Sequence, residues 1–350
     1  MKIVSPITRI DEVKPLAEAG ASEFYCGVLT EEENKYFTNI WCLNRRPSAL
    51  SNLRSFKELS ELVRIARGYG VNVSLALNEF YAEEQFIKAR EQINKALDCG
   101  VDAFIVADIG IMEELKQYMD KVKIYIGVGG TVFNSRAIQF YKKQGAARVI
   151  LPRHLTLEEI KTMRLGMENK EVQLECLILN ERCNNIDGFC NFEHGIFSYS
   201  KLLNFISRNY RLLAKMRGFL PNTAINFIHT RGMKKELSCC FDYKVMERKG
   251  GIAAGKSRSR LKNFFNADKF LNACGACALY DLNKMNIDFV KIVGRVFFKD
   301  KVRDVEFIHA CLKLLEDNSL GQEHYKKLAK DIYKKYFKKD CQGFYCYYPS

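Results

Sequence analysis

From Met1 to about Leu179 the chain repeats one unit: an amphipathic helix, a glycine just past its end, and a short, almost continuously apolar segment. The apolar segments read as strands at Lys2–Pro6, Glu23–Val28, Asn72–Asn78, Ala103–Asp108, Val122–Gly127, Arg148–Pro152 and Gln173–Leu179. Gly20, Gly70, Gly100 and Gly145 stand where a left-handed residue closes a helix before the next strand. An eighth strand, Phe289–Val293, follows only after roughly 100 residues, a length that connections in compact domains reach when they carry function. Strands that are apolar on both faces need cover on both, which a parallel sheet wrapped in helices provides. Eight such units predict an α/β fold, a (β/α)8 TIM-type barrel, with an open doubly wound sheet as the second choice. The predicted organisation is a barrel through strand 7 at 1–182, a cysteine-rich insertion at 183–280, strand 8 at 281–300 and a basic helical C-terminal tail at 301–350.

Composition narrows the class. With 47% hydrophobic and 27% charged residues, the 350-residue chain has material for a large core and an extension. The N-terminus reads straight into a strand, and no apolar run approaches the roughly 18 to 20 residues that span a bilayer, so a cytoplasmic protein without a membrane span is expected. The 55 Lys and Arg against 41 Asp and Glu give a net charge of +14, which favours an anionic partner, RNA among them. Part of the excess, Lys256, Arg258, Arg260 and Lys262, lies near Phe264 and Phe265, a mixture suited to phosphates and flat bases. The other part, Lys326, Lys327, Lys330, Lys334, Lys335, Lys338 and Lys339, reads as the solvated face of a helix.

Thirteen cysteines change the picture further. A reducing compartment keeps thiols free, so such a surplus points to coordination or redox chemistry. Cys183-x6-Cys190, Cys239-Cys240 and Cys274-x2-Cys277 all fall in the long insertion. Four thiolates are available there: Cys183, Cys190, one of Cys239 or Cys240, and one of Cys274 or Cys277. The six-residue spacing of the first pair is too wide for a zinc ribbon, whereas an iron-sulfur cluster takes one thiolate per corner and tolerates it; zinc is the alternative. Cys26, Cys99, Cys176 and Cys311 fall on apolar strands or helices and read as core.

These residues carry a resemblance. The run Cys183-Asn184-Asn185-Ile186-Asp187-Gly188-Phe189-Cys190 follows the strand Leu174–Leu179, and Lys291-Ile292-Val293-Gly294-Arg295 lies downstream. With Val101–Asp108 and Arg148–Ile160 they resemble the collagenase-like peptidase family thirty-two, a peptidase U family, over Met1 to about Arg295. The resemblance implies an iron-sulfur protein of oxygen-independent hydroxylation, of the kind acting in anaerobic ubiquinone synthesis or on tRNA and rRNA, some with prephenate as oxygen donor. It implies a 4Fe-4S cluster on Cys183, Cys190, Cys240 and Cys274, with Cys239 competing for the third corner and Cys277 or Cys42 for the fourth. The ending Cys341-Gln342-Gly343-Phe344 resembles that of one branch, and Cys346 follows it. The chain departs from the family at Asn180, Phe189 and Val293, where most members carry histidine, arginine and glutamate.

Polar residues at strand ends point into the mouth of a barrel, which makes Asn78, Asp108, Arg153, Lys291 and Arg295 the candidate substrate-binding residues. Their cations suit a carboxylate such as prephenate's, and equally a buried ion-pair network. Gly127, Gly129 and Gly130 read as a tight turn at the mouth. No catalytic residue is singled out. A peptidase, as the family name suggests, is the alternative function, although no His-Glu-x-x-His or Gly-x-Ser-x-Gly occurs and the five histidines are scattered. A metal-stapled scaffold that binds RNA or protein without catalysis is a third reading. An electron-transfer or homologous partner protein completes the expected partners.

Overall fold

The structure is a computed structural model that describes residues 1–31, 33, 43–46, 51–167, 172–181, 187–189, 248–249, 252–253, 273–295, 300–341 and 346–348. Eight parallel strands close a barrel: β1 (Lys2–Pro6), β2 (Glu23–Cys26), β3 (Asn72–Leu77), β4 (Ala103–Val106), β5 (Lys123–Ile126), β6 (Ala146–Ile150), β7 (Gln173–Leu179) and β10 (Phe289–Ile292). β8 (Arg248–Lys249) and β9 (Ile252–Ala253) pair with each other in a short antiparallel ribbon. The barrel runs in sequence order from β1 to β7, and β10 closes it between β7 and β1. Closure leaves no unpaired edge, which an open sheet of these strands would expose.

Helices fill the outer layer. They are α1 (Val13–Glu18), α2 (Phe56–Gly68), α3 (Glu83–Asp98), α4 (Ile109–Leu115), α5 (Ser135–Lys143), α6 (Leu157–Leu165) and α7 (Leu279–Lys284). The tail supplies α8 (Lys301–Lys313) and α9 (Gln322–Phe337). Local chemistry sets their ends. Ser55 caps α2 by accepting from Glu58 N, and Thr156 and Glu159 form a reciprocal capping box on α6. Gly20, Gly70, Gly100 and Gly145 all take positive φ, as the helix-to-strand turns require. At Gly20 the fit is closer still, because an added Cβ would run into the His309 imidazole of α8. The face of α2 that carries Leu59, Leu62, Val63 and Ala66 packs on the barrel.

The barrel interior is charged where the strands are otherwise apolar. Arg148 on β6 donates to Glu23 on β2 at 2.9 Å and to Glu175 on β7 at 2.8 Å, and Lys291 on β10 reaches Glu175 at 2.9 Å. The Arg148 guanidinium also lies between the rings of Tyr125, at 3.9 Å, and Phe289, at 3.4 Å. All four charged residues are buried. Burial would raise the Glu175 pKa, but Lys291 and Arg148 overcome it and hold the carboxyl below its ordinary value.

Among the cysteines read as core, Cys26, Cys176 and Cys311 are buried, and burial pushes the thiols of Cys26 and Cys176 up to about 12. Such thiols carry no charge near neutral pH, as core residues should. Cys99 is only partly covered. No helix among the described residues is long and apolar enough to cross a membrane. The C-terminal segment folds back onto β7: Tyr347 N donates to Cys274 O at 2.9 Å, Tyr347 OH donates to Asn180 O, and Tyr348 OH reaches Leu177 O at 3.0 Å.

Candidate functional site

A pocket of about 110 Å3 opens at the C-terminal ends of the strands. Asn78, Arg153, Lys291 and Arg295 line it together, joined by Tyr25, Arg45, Arg46 and Asp187. The remaining candidate, Asp108, is used elsewhere: its carboxylate caps α4 by accepting from Ile111 N at 3.0 Å and also accepts from Tyr81 N at 3.2 Å. The glycine-rich turn predicted after strand 5 is there as a 3-10 turn over Val128–Gly130, ended by left-handed Thr131. Gly127 and Gly129 line the pocket, where the backbone itself forms the wall.

Each cation at the mouth is oriented by the residues around it. Arg153 donates Nε and Nη2 to the two oxygens of Asp187 at 3.0 and 2.6 Å, a bidentate pair, and Nη1 to Glu181 O at 2.7 Å. Its backbone N donates to Asp187 Oδ2 at 2.8 Å. Burial would raise the Asp187 pKa, but the charge and hydrogen bonds of Arg153 hold it below the ordinary aspartate value. Arg46 donates to Glu181 Oε2 at 2.6 Å. Lys291, held by Glu175, places its ammonium 4.0 Å from the Tyr25 ring centroid. Arg295 donates to Asn44 O at 2.8 Å and Asn52 Oδ1 at 3.2 Å, and it lies so close to the backbone of Gly27 that a Cβ there would collide with its guanidinium.

That contact gives a direct test. Gly27→Ala is expected to displace Arg295, so that an anion held by its guanidinium would bind about tenfold more weakly, as is expected of Arg295→Ala. The double variant is expected to be no weaker than either single one, because both remove the same arrangement. A titration that finds the two losses additive contradicts it.

The segment between Cys183 and Cys190 reaches the mouth through its middle. Asp187 and Gly188 line the pocket, and a Cβ on Gly188, whose φ is 88°, would strike Thr131. Cys183, Cys190, Cys239, Cys240 and Cys42 lie outside the described residues. Of the four expected ligands Cys274 alone is described, as is its competitor Cys277, which is partly buried. Cys274 pairs through the backbone with Leu179 on one side and Cys346 on the other, and its Sγ accepts from Ala276 N at 3.5 Å. Burial holds its thiol well above the ordinary value, and the neighbouring Cys311, Cys277 and Cys341 add to the effect. Cys274 does not line the pocket, and no group of three or more His, Cys, Asp or Glu able to hold a metal ion occurs among the described residues.

The sequence reading passed over Glu23, Glu175, Asp187 and Glu181, the acids that orient the cations. Glu23, Arg148, Glu175 and Lys291 were visible as charges of both signs inside otherwise apolar strands, a pattern that signals mutual pairing inside a barrel. Asp187 had no such local signal, since its partner Arg153 is far away in sequence.

The family model for Peptidase family U32 matches residues 8–217, more than half of the chain. The chain belongs to peptidase family U32. Among curated U32-like relatives, an uncharacterized protease of Methanocaldococcus jannaschii is 30% identical over 192 residues, covering 52% of this chain and 43% of that protein. The tRNA hydroxylation protein P1 of Bacillus subtilis is 28% identical over 142 residues, covering 40% of this chain and 33% of that protein. A 23S rRNA 5-hydroxycytidine synthase of Escherichia coli is 25% identical over 140 residues, covering 40% of this chain and 20% of that protein. The chain thus spans less than half the length of each of these relatives.

Proposed function

We propose that this U32 protein is an RNA-modifying enzyme, an oxygen-independent hydroxylase that depends on a 4Fe-4S cluster held by Cys183, Cys190, Cys240 and Cys274. The observation that carries the reading is the anchoring of Arg153: Glu181 and Asp187, which bracket Cys183 in sequence, both bond this one pocket arginine. Both Glu181 and Asp187, on either side of Cys183 in sequence, therefore stand at the mouth, where catalytic groups of such barrels sit. A cluster there supplies electron transfer or polarises an oxygen donor. The chain's own part is electrostatic. Arg45, Arg46, Arg153, Lys291 and Arg295 line the pocket, and Glu79, Glu181, Asp187 and Glu175 pair with the first four, so among the described residues five cations against four carboxylates leave one positive charge for a phosphate or for a carboxylate donor of the prephenate type. Two of the relatives are named for the hydroxylation or modification of tRNA and rRNA, and the net charge of +14 suits the same class of substrate. Among the described residues lining the pocket there is no serine, threonine, cysteine or histidine to serve a peptidase as nucleophile or base.

The test is nucleoside mass spectrometry on RNA from anaerobically grown cells with and without the gene. A nucleoside carrying one additional oxygen is expected to vanish with the gene and return with the wild-type copy, but not with Arg153→Ala. Unchanged nucleosides together with cleavage of a peptide substrate by the purified chain would assign it to the peptidases instead.

A further inference from the structure

Three phenylalanines stand around the same mouth, and two of them face solvent. Phe189 is 71% exposed and Phe80 is 43% exposed. The third, Phe133, lies with its ring centroid 6.2 Å from that of Phe189, the planes tilted by 37°. Phe80 follows β3 and reaches over Gly129, where an added Cβ would meet its ring at 3.8 Å. Phe189 is held in place from behind: Asp187 grips Arg153, and Gly188 fits against Thr131. An exposed aromatic on an anchored turn gains nothing from the protein core, whereas a flat ligand ring can cover it.

The pocket beside them holds an unsatisfied polar atom. Asn78 lines this pocket, and its Oδ1 is shielded from solvent and has no hydrogen-bond partner among the described residues. Buried acceptors are rarely left so, and this one calls for a donor from the occupant. A pocket of about 110 Å3 is smaller than the roughly 300 to 1,000 Å3 that hold drug-sized ligands, so it admits one ring and not a whole nucleotide. Beyond the ring, Arg45, Arg46 and Arg295 at the wall suit the phosphates on either side.

We propose that Phe189, backed by Phe133, stacks on one unpaired RNA base that enters the pocket beside Phe80 and donates an exocyclic amine or ring N–H to Asn78 Oδ1. This rests on the RNA reading above and assigns it residues. An unpaired base rather than a duplex is the occupant, because a paired base presents no free face to an aromatic side chain and no free Watson–Crick edge to Asn78.

The experiment is a binding titration of the anaerobically purified full chain with a short single-stranded RNA carrying 2-aminopurine, read by quenching of its fluorescence at several salt concentrations. No turnover is needed, so the result is independent of whether the protein hydroxylates anything. Wild type is expected to quench the base on binding. Phe189→Leu, on an exposed side chain whose replacement spares the fold, is expected to lose the quench and bind about tenfold more weakly with an unchanged salt slope, since the phosphate contacts stay. Asn78→Ala is expected to weaken binding while keeping the quench. Equal quenching by wild type and Phe189→Leu, RNA bound without quenching, or no RNA binding at all would each overturn the proposal, as would displacement of the RNA by an equally charged acidic peptide at the same concentration. Loss of a hydroxylated nucleoside in cells without the gene, combined with any of these, would leave the hydroxylase reading standing and remove the stacking site alone.

Discussion

Arg148→Ala is expected to cost about 3–5 kcal/mol, the range for stripping one partner from a buried ion network. Total stabilities of domains run to about 5–15 kcal/mol, so this single change removes much of the margin. The cause is specific. Without the guanidinium, Glu23 and Glu175 are left inside the barrel with Lys291 as the remaining cation of the network. Glu23 already sits above the ordinary glutamate pKa in the intact protein, because burial outweighs the pull of Arg148. In the variant Glu23 is expected to rise further above the unfolded value of about 4.3, and Glu175, held below its ordinary value in the intact protein, is expected to rise as well. A native state that binds more protons than the unfolded chain loses stability as pH rises, so the deficit should be full at neutral pH and shrink on acidification toward pH 5. Urea denaturation at both pH values measures this. A loss that is small, or that does not change with pH, contradicts the network's role.

Asp187→Asn is expected to lower activity about a hundredfold, the scale on which a misplaced binding group costs rate, while leaving the fold largely intact. Asparagine keeps the shape but offers Arg153 neither the charge nor the second acceptor oxygen. Arg153→Ala is harsher, because it abandons the buried Asp187 carboxylate. The pH dependence follows from the depressed pKa of Asp187. A carboxyl whose folded pKa lies below the unfolded value of about 3.9 contributes its full stabilisation above that value and loses it as pH falls through the folded one. The Arg153–Asp187 contact should therefore hold across the neutral range and open only in strong acid, later than any ordinary aspartate titrates. Circular dichroism and activity measured together down an acid series check this, and mouth opening near pH 5 would contradict it.

The barrel was legible because its signals are local. Helix, glycine and apolar strand recur with their own caps and turns, and each strand needed two covered faces, which only closure supplies to all eight. The ends of the strands were less so: Glu23–Val28 stops at Cys26 and Arg148–Pro152 begins at Ala146 and stops at Ile150, because alternation does not mark where hydrogen bonding ends. At the mouth, Asn78, Arg153, Lys291 and Arg295 follow from one rule, that residues just past parallel strands converge. Asp108 obeys the same rule of position but is taken by the N-terminus of α4, whose free amides compete for any carboxylate placed there. The partners that orient the cations were illegible for a different reason. Arg46 meets Glu181 and Arg295 meets Asn44 across long sequence separations, and no spacing in the chain encodes those pairs. Cys274 reads as one of a Cys-x2-Cys pair, and its buried thiol has Cys311 and Cys341 as neighbours besides Cys277, a grouping of sulfurs from distant segments that no spacing in the chain encodes.

The decisive measurement is the iron and acid-labile sulfide content of anaerobically purified wild type beside Cys183→Ala, Cys190→Ala, Cys240→Ala and Cys274→Ala. A brown wild type with about four irons and four sulfides per chain, lost or converted in each variant, is expected for a four-thiolate cluster at the mouth of the barrel. A colourless wild type carrying one zinc, or iron that survives the removal of both Cys183 and Cys190, would contradict it.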